Sequence, residues 1–346
     1  MPYHVASLEG VMHGLYLVWL VQERGFAPAL VATVLAAGDL CVFALEIPTG
    51  WVADRLGHRR SLIIGSFVQV CGMAVFWFAA STPALLAASL LVAIGDAFRS
   101  GADEALLYRS CVALGREDDF QIIESRTRSV SLMALVGLLV GGGALVTVAG
   151  YTPAWIAEIT LCTAGLVLAC LMVEPPAAAV LDAEAIDGEP RDTHDSRWRI
   201  FACLVMPGAV LDGLASIAAF LAQTTPDAEV LGVTALVAAI TLSEAGGAYM
   251  AARVWRNDGR LHLLLLACGA AVFAVSQMVS AGAAAAAVAL AFFPGLIGPL
   301  RAVALQRVAS DGVRARIASF ASACDMACTT LGLLAAGALI TRRKRP

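Results

Sequence analysis

The chain has 346 residues, of which 60% are apolar and 14% are charged, with a mean hydropathy of +0.81 and a formal net charge of −4. An average soluble domain is about 45–50% apolar and about 25% charged, so a soluble protein of this composition would lack the polar surface it needs. Lipid removes that difficulty, because the outer faces of membrane helices need no polar cover. The composition therefore excludes an ordinary soluble domain and indicates an all-α, polytopic membrane protein.

Eleven apolar stretches are long enough to cross a bilayer as helices, because a membrane helix needs about 20 residues. They are residues 3–22, 28–50, 61–80, 84–108, 124–149, 152–173, 200–222, 228–251, 261–281, 283–304 and 316–341. The acidic, proline-containing segment 174–199 cannot cross a bilayer and is predicted to be a cytoplasmic linker. It separates a first bundle of six helices, residues 1–173, from a second bundle of five, residues 200–346.

The arginines of the loops predict the orientation, because cytoplasmic loops are enriched in Arg and Lys. Alternate loops carry clusters such as Arg59 and Arg60, whereas the opposite loops hold only Arg24. We therefore expect a multi-pass protein of the cell membrane with a cytoplasmic N-terminus. The basic residues 342–346 would then lie outside, which means that the eleventh stretch does not span or, as we favour, that a twelfth helix is missing.

The two halves resemble weak repeats of each other. Gly101, near the end of the fourth helix, corresponds to Gly298 in the tenth at an offset of 197. Arg55, after the second helix, corresponds to Arg253, after the eighth, at an offset of 198. Two correspondences at nearly the same offset indicate a duplicated helix bundle.

The loop between the second and third helices carries the most specific motif, Gly50-Trp-Val-Ala-Asp54-Arg55-Leu-Gly57-His58-Arg59-Arg60. It closely resembles the G-x-x-x-D-R-x-G-R-R loop of the major facilitator superfamily, with His58 in place of the first basic residue after the glycine. The preceding Glu46-Ile-Pro-Thr-Gly50 and the segment Arg99–Tyr108 are similar to a bacterial branch of that superfamily.

This resemblance implies a fold of two six-helix bundles, with the last helix apparently missing here, and a secondary transporter that works by alternating access. In the family, the acid equivalent to Asp54 accepts hydrogen bonds at the N-terminus of a neighbouring helix, where negative charge is favoured, and stabilises the outward-open state. The alternative is that the arginines of the loop serve only as topology signals. The cytoplasmic gate is assigned to Glu46, Gly50, Asp54, Arg55, Gly57, Arg59, Arg60, Asp103 and Glu104.

Acidic side chains within the apolar stretches are the candidate proton-coupling groups, because a charge at mid-bilayer costs about 2.5–3.5 kcal/mol. Asp39 lies near the middle of the second helix, and Asp96, Arg99 and Asp103 form one stripe on the fourth. Burial raises the pKa of a carboxyl and a nearby Arg lowers it, so a change of surroundings can load and release a proton. We predict that Asp39 and Asp96 couple protons, with Arg99 tuning Asp96, in a water-filled cavity lined mainly by helices one, two and four. Alternatively, the stripe is a buried ion pair that only fixes packing.

Other features of the apolar stretches receive no firm role. Glu9 and His13 lie four residues apart on the first helix, and four further acids are isolated: Glu158, Asp212, Glu244 and Asp325. The glycine run 137–143 partly fits a motif of exporters in the family, and otherwise permits close helix packing. It supports export over import.

The sequence thus predicts a proton-coupled antiporter that exports a small organic molecule. The alternatives are a non-transporting receptor or assembly protein on the same fold, a truncated inactive transporter and an intramembrane enzyme. Lys344 is the only lysine, so no P-loop lysine exists, and neither H-E-x-x-H nor G-x-S-x-G occurs. We therefore expect no enzyme, no cofactor, no metal and no nucleic acid, but a monomer whose partners are protons, a small-molecule substrate and the lipid bilayer.

Overall fold

The computed structural model describes residues 3, 10–116, 119–175, 205–223, 230–253, 264–270, 272, 282–308, 321, 323–332 and 334–335. Every regular element within them is helical. The helices are α1 (Leu15–Val18, followed by a π-helical turn Trp19–Glu23), α2 (Pro28–Leu56), α3 (His58–Phe78), α4 (Thr82–Arg99), α5 (Ala102–Ala113), α6 (Phe120–Ala149), α7 (Tyr151–Leu171), α8 (Met206–Gln223), α9 (Val230–Ala251) and α10 (Gly282–Val308). Further helical residues are 264–270 and 323–332.

Seven helical segments of the described residues are long and apolar enough to cross a membrane, and Met206–Ala219 is a shorter apolar helix. Large apolar side chains on these helices face outward, among them Phe78, Val148 and Leu171, which are 71–88% exposed. A bilayer is the solvent that such a surface requires. The prediction of a helical, multi-pass membrane protein is therefore confirmed. Most of the predicted linker, residues 176–199, and the chain end 336–346 lie outside the described residues.

The predicted turns coincide with the ends of helices. Ser81 begins α4 by accepting a hydrogen bond from the backbone N–H of Ala84 at 3.4 Å. Gly150 separates α6 from α7, and the segment Gly25–Ala27 separates the π-helical turn from α2. These local signals place the loops because a capping side chain or a glycine stops a helix wherever the helix lies in the fold.

The fourth predicted helix, residues 84–108, is interrupted. It ends at Arg99 and resumes at Ala102, because Ser100 is extended and Gly101 takes the left-handed conformation with φ of +70°. Asp103 consequently lies in the first turn of α5, across the break from Arg99. The single continuous stripe predicted from the spacing of these side chains is therefore wrong. Together α4 and α5 still make one span, Thr82–Ala113.

The first predicted helix, residues 3–22, is also interrupted. Residues 10–14 form bends and turns, and α1 begins only at Leu15. Gly14 has φ of +76°, a conformation that costs a residue with a side chain about 1–2 kcal/mol. His13 lies in this turn segment, and its predicted partner Glu9 lies outside the described residues.

Helix α6 joins the two halves of the chain, because it packs along α9. Its apolar face contributes Leu132, Leu135 and Leu139 to a core that also contains Val233 and Val237. The other extensive helix contacts lie within one half: α3 packs on α4 and α7, and α10 packs on α8 and α9, while smaller contacts of α6 with α10 and of α1 with α9 also cross the halves.

Two helices from different halves end with the same side-chain arrangement. The guanidinium of Arg55 lies 3.6 Å from the ring centre of Trp51 at the end of α2. The guanidinium of Arg253 lies 3.9 Å from the ring centre of Tyr249 at the end of α9. Both pairs are cation–π contacts between residues four apart, and the members correspond at a common offset of 198. This is the repeat that the sequence indicated for Arg55 and Arg253.

Candidate functional site

A cavity of about 160 Å³ lies inside the first half of the chain. It is lined by residues of α1 and the break before it, α2, α3, α4 and α7. Its titratable side chains are His13, Tyr16, Asp39, Asp96 and Glu158. All of the lining residues that are described come from before residue 174, in the first half of the chain.

The two acids that the sequence singled out as proton-coupling groups both line this cavity. Oδ2 of Asp39 is buried and has no hydrogen-bond partner within the described part of the chain. Asp96 lies one turn before Arg99 on α4, and the closest approach of carboxylate and guanidinium is 3.6 Å. The cavity thus contains one carboxylate oxygen, Oδ2 of Asp39, without a described hydrogen-bond partner, and a second carboxylate, that of Asp96, at 3.6 Å from the guanidinium of Arg99. Carboxylates in such surroundings can accept a proton.

Aromatic rings close one side of the cavity. Trp155 and Phe76 line it, with ring centres 5.8 Å apart, and Trp19 lies 5.0 Å from Trp155. Arg24 covers Trp19 with a cation–π contact at 4.7 Å and donates to the carbonyl of Trp77 at 2.6 Å. This cluster lies at the end of α1 that leads to the segment Gly25–Ala27, and two of its rings, Phe76 and Trp155, line the cavity.

Glu158 is a third acid of the cavity, and the sequence analysis left it without a role. It is 0% exposed, and its Oε2 accepts the backbone N–H groups of Val11 and Met12 at 2.7 Å and 2.9 Å. These amides belong to residues 10–14, the non-helical segment that precedes α1. The signal in the sequence was the same as for Asp39, an acid in the middle of an apolar stretch. Its partners are 146 and 147 residues away and could not be read from spacing.

The gate residues nearest the membrane centre join α2 to the end of α4. Glu46 is 2% exposed, and its Oε1 accepts a hydrogen bond from the Ser100 hydroxyl at 2.8 Å. One turn further on, the hydroxyl of Thr49 donates to the carbonyl of Ala97 at 2.9 Å. The extended Ser100 that interrupts the fourth span is thus held by the buried acid of the E-I-P-T-G segment.

The motif loop is attached to the end of α7. Oε1 of Glu174 accepts the backbone N–H of His58, the first residue of α3, at 2.8 Å. A Cβ on Gly57 would lie 2.5 Å from Oε2 of the same carboxylate, so only glycine leaves room for it. Arg59 donates to the carbonyl of Cys170 at 2.5 Å. The acid at this helix N-terminus is Glu174, which the sequence analysis had assigned to the linker.

The remaining gate residues are spread over three positions. Gly50 lies within α2, and Asp54 and Arg55 are exposed in its last turn. Arg60 is exposed at the start of α3. Asp103 accepts the backbone N–H of Glu104 at 2.8 Å in the first turn of α5. The structure thus places the predicted set at one end of α2, α3 and α5.

Two ion pairs involve acids that the sequence analysis regarded as isolated. Arg301 on α10 holds Asp325 with both amino groups, at 2.6 Å and 2.5 Å. Arg128 on α6 holds Glu244 on α9 at 2.9 Å and so links the two halves of the chain. These pairs were not predictable from sequence spacing, because each partner lies on a different helix.

Comparison with known proteins assigns the family. The family model described as Major Facilitator Superfamily matches residues 3–337 of the chain. The chain belongs to the major facilitator superfamily. This superfamily consists of transporters, so the prediction that the protein is not an enzyme is confirmed.

Two solved structures of the superfamily share the fold. The human organic anion transporter MFSD10 (TETRAN) has a TM-score of 0.67 and 15% sequence identity, over 97% of this chain and 90% of that one. The Escherichia coli fucose:proton symporter FucP has a TM-score of 0.62 and 15% identity, over 99% of this chain and 89% of that one. No curated protein matches the chain.

Proposed function

We propose that this superfamily member is a proton-coupled antiporter that exports a small organic molecule from the cytoplasm. It works by alternating access between two bundles, residues 1–173 and 200–346, joined by the cytoplasmic linker 174–199. It lies in the inner membrane of a bacterial cell with its N-terminus in the cytoplasm. The similarity of Glu46–Arg60 to the bacterial branch and the arginine-rich alternate loops support this assignment.

The observation that carries the proposal is the acidic cavity within the first half. Asp39 and Asp96 share a chamber of about 160 Å³ whose walls are otherwise mainly apolar and aromatic. Acids are costly inside a membrane and commonly mark proton pathways. We assign proton loading to Asp39 and Asp96, and we assign to Arg99 the role of a cation that competes with the proton for Asp96.

We assign the cavity to protons and not to the cargo. Cargo sites of secondary transporters lie where the two repeats meet, so that rocking exposes them to alternate sides. The described walls of this cavity come from one half alone. The cargo is then expected between the halves, where α6 faces α9 and Arg128 meets Glu244.

The cytoplasmic gate comprises Glu46, Gly50, Asp54, Arg55, Gly57, Arg59, Arg60, Asp103 and Glu104. We propose that Asp54 holds the outward-open state by contact with a helix of the second half. In the present state Asp54 is exposed, whereas Glu174 holds the motif loop to its own bundle. Glu46 and Ser100 transmit movement of α2 to the break in the fourth span.

Proton coupling is tested by transport in proteoliposomes that contain the purified chain and the pH-sensitive dye pyranine. The first cargo probes are benzylamine, benzoate and L-fucose, which represent an organic cation, an organic anion and a neutral sugar. In antiport, protons move in the direction opposite to the cargo. Cargo that enters the vesicles should therefore drive protons out of the lumen, whereas in symport it would carry protons in. A lumen that changes pH in the symport direction would contradict antiport while leaving proton coupling intact.

The substitutions Asp39→Asn and Asp96→Asn are expected to lower flux driven by a pH gradient by about 5–150-fold, the range of a coupling free energy of about 1–3 kcal/mol. Exchange of labelled for unlabelled cargo without a gradient should persist, because it needs no net proton movement. Asp119→Asn is the matched control, since Asp119 is a partly exposed acid paired with Arg116 far from the cavity. The assignment fails if both variants leave gradient-driven flux unchanged in a chain shown to transport.

A further inference from the structure

The interrupted first helix touches both halves of the chain at the level of the cavity. A Cβ on Gly10 would lie 2.5 Å from Cδ1 of Leu138 on α6. A Cβ on Gly14 would lie 2.8 Å from Cγ2 of Val237 on α9. Between them, Gly142 of α6 packs directly on the carbonyl oxygen of Val11. Residues 10–14 therefore contact α6 of the first half and α9 of the second half, and we call this segment the wedge.

Glu158 fixes this wedge to the first bundle. Its carboxylate accepts the backbone N–H groups of Val11 and Met12, at the point where the helix is interrupted. Hydrogen bonds to an ionised carboxylate are roughly twice as strong as those between neutral groups. A protonated carboxyl is a weaker acceptor for two amides and brings a donor of its own, so the neutral form holds the wedge less firmly.

The same carboxyl faces the proton-loading cavity. His13 from the first helix, Asp39 from α2 and Asp96 from α4 line that cavity with it. On its own helix, the thiol of Cys162 lies 4.0 Å from Oε1. From α3 the cavity receives Met73 and Phe76, which do not titrate, and the part of α6 beside Val11 is glycine. Among the described residues, the charged groups that line the cavity with Glu158 are His13, Asp39 and Asp96.

We propose that Glu158 is a positioning residue that links protonation of the cavity to the contact between the two halves. Ionised, it holds residues 10–14 against α6 and α9; protonated, it releases them. Linkage is reciprocal, so displacement of the wedge when the bundles rock also changes the proton affinity of Glu158. This inference rests on the proposed proton coupling, for which it supplies the step between the cavity and the bundle interface.

Hydrogen–deuterium exchange of the full chain in lipid nanodiscs measures this link without any cargo. The readout is the protection of the Val11 and Met12 amides, in peptides that begin before residue 9, at steps from about pH 8 down to about pH 3, a range that includes the ordinary glutamate pKa of about 4.3. Rates are divided by the intrinsic exchange rate at each pH. In the unmodified protein, protection is expected to fall by about 10- to 100-fold as the pH is lowered, the range for hydrogen bonds to a charged group.

The variant Glu158→Gln keeps the shape of the side chain but cannot be ionised. Its protection at residues 11 and 12 is expected to be low and independent of pH. Glu158→Asp keeps the charge and is expected to restore a pH-dependent protection, which distinguishes ionisation from shape. Asp119→Asn is the matched control, because Asp119 does not line the cavity and pairs with Arg116 instead, and protection of residues 11 and 12 in that variant should still depend on pH.

Two results overturn the inference: protection of Val11 and Met12 that does not change with pH in the unmodified chain, or a pH dependence that persists in Glu158→Gln. If Glu158→Gln fails to fold, the unmodified protein and Glu158→Asp still test the inference. Protection of the Val11 and Met12 amides that is independent of pH in both proteins refutes the link. Proton-driven flux is scored separately. If the protection of residues 11 and 12 depends on pH but the chain shows no proton-driven flux, the proposed function is refuted. If the chain shows proton-driven flux but the protection does not depend on pH, only the role of Glu158 is refuted.

Discussion

Breaking the ion pair between Arg301 and Asp325 on one side only is expected to destabilise the second half strongly. Its two hydrogen bonds measure 2.6 Å and 2.5 Å, and the side chains are only 17% and 20% exposed. Asp325→Asn keeps the size of the side chain but removes the carboxylate that both amino groups of the Arg301 guanidinium contact. Removal of one partner from a buried pair costs about 3–5 kcal/mol. Because both side chains retain some exposure, we expect a loss near 3 kcal/mol, the lower end of that range.

The assay is unfolding in mixed micelles by titration with sodium dodecyl sulfate, followed by tryptophan fluorescence, which yields a free energy of unfolding. The double variant Arg301→Met with Asp325→Leu should recover most of the loss, since apolar residues of similar volume often replace a buried ion pair at little cost. The matched control is Asp119→Asn, whose pair with Arg116 is 2.9 Å long but 45% and 60% exposed. An exposed pair contributes about 0–1 kcal/mol.

The reasoning is refuted if Asp325→Asn costs no more free energy than Asp119→Asn. It is also refuted if the double variant is as unstable as Asp325→Asn alone, because the loss would then come from packing and not from an unpaired charge.

Two further predictions concern the helix breaks. Gly14→Ala should lower the free energy of unfolding more than Gly25→Ala. Both glycines have positive φ, which costs alanine about 1–2 kcal/mol at either position. Only at Gly14 does the added Cβ also meet a neighbour, Cγ2 of Val237, at 2.8 Å. Equal losses in the same unfolding titration would refute the wedge packing. Ser100→Ala should cost about 1.5–3 kcal/mol, because it removes a hydrogen bond from the Glu46 carboxylate, which is 2% exposed. Ser100→Thr retains a hydroxyl and should cost less, and an unchanged melting temperature for Ser100→Ala would refute this role.

The sequence by itself determined the class of the protein and the position of most helices. Hydropathy over about 20 residues is a local property, so the spans from α2 to α7 could be read without knowing what each helix packs on. The turns at Ser81 and Gly150 were equally local. The motif Gly50–Arg60 carried the resemblance to the superfamily, because a cytoplasmic loop with that order of glycine, acid and arginine is specific enough to be recognised alone.

The sequence also drew attention to polar residues in apolar stretches, but it did not assign their partners. Glu158 was passed over because no titratable neighbour lay within a helical turn of it. Only the tertiary structure brought it to Val11 and Met12, and only the tertiary structure paired Arg301 with Asp325.

The helix breaks at Gly14 and Gly101 could not be predicted from the sequence for a related reason. A glycine within an apolar stretch is compatible with a continuous helix, and an interruption becomes stable only when other groups satisfy the freed backbone. Glu158 does this for the first helix. Spacing along a chain reports which residues share a face of one helix. Which faces meet depends on the rotation and register of several helices at once, and that is settled only when they pack.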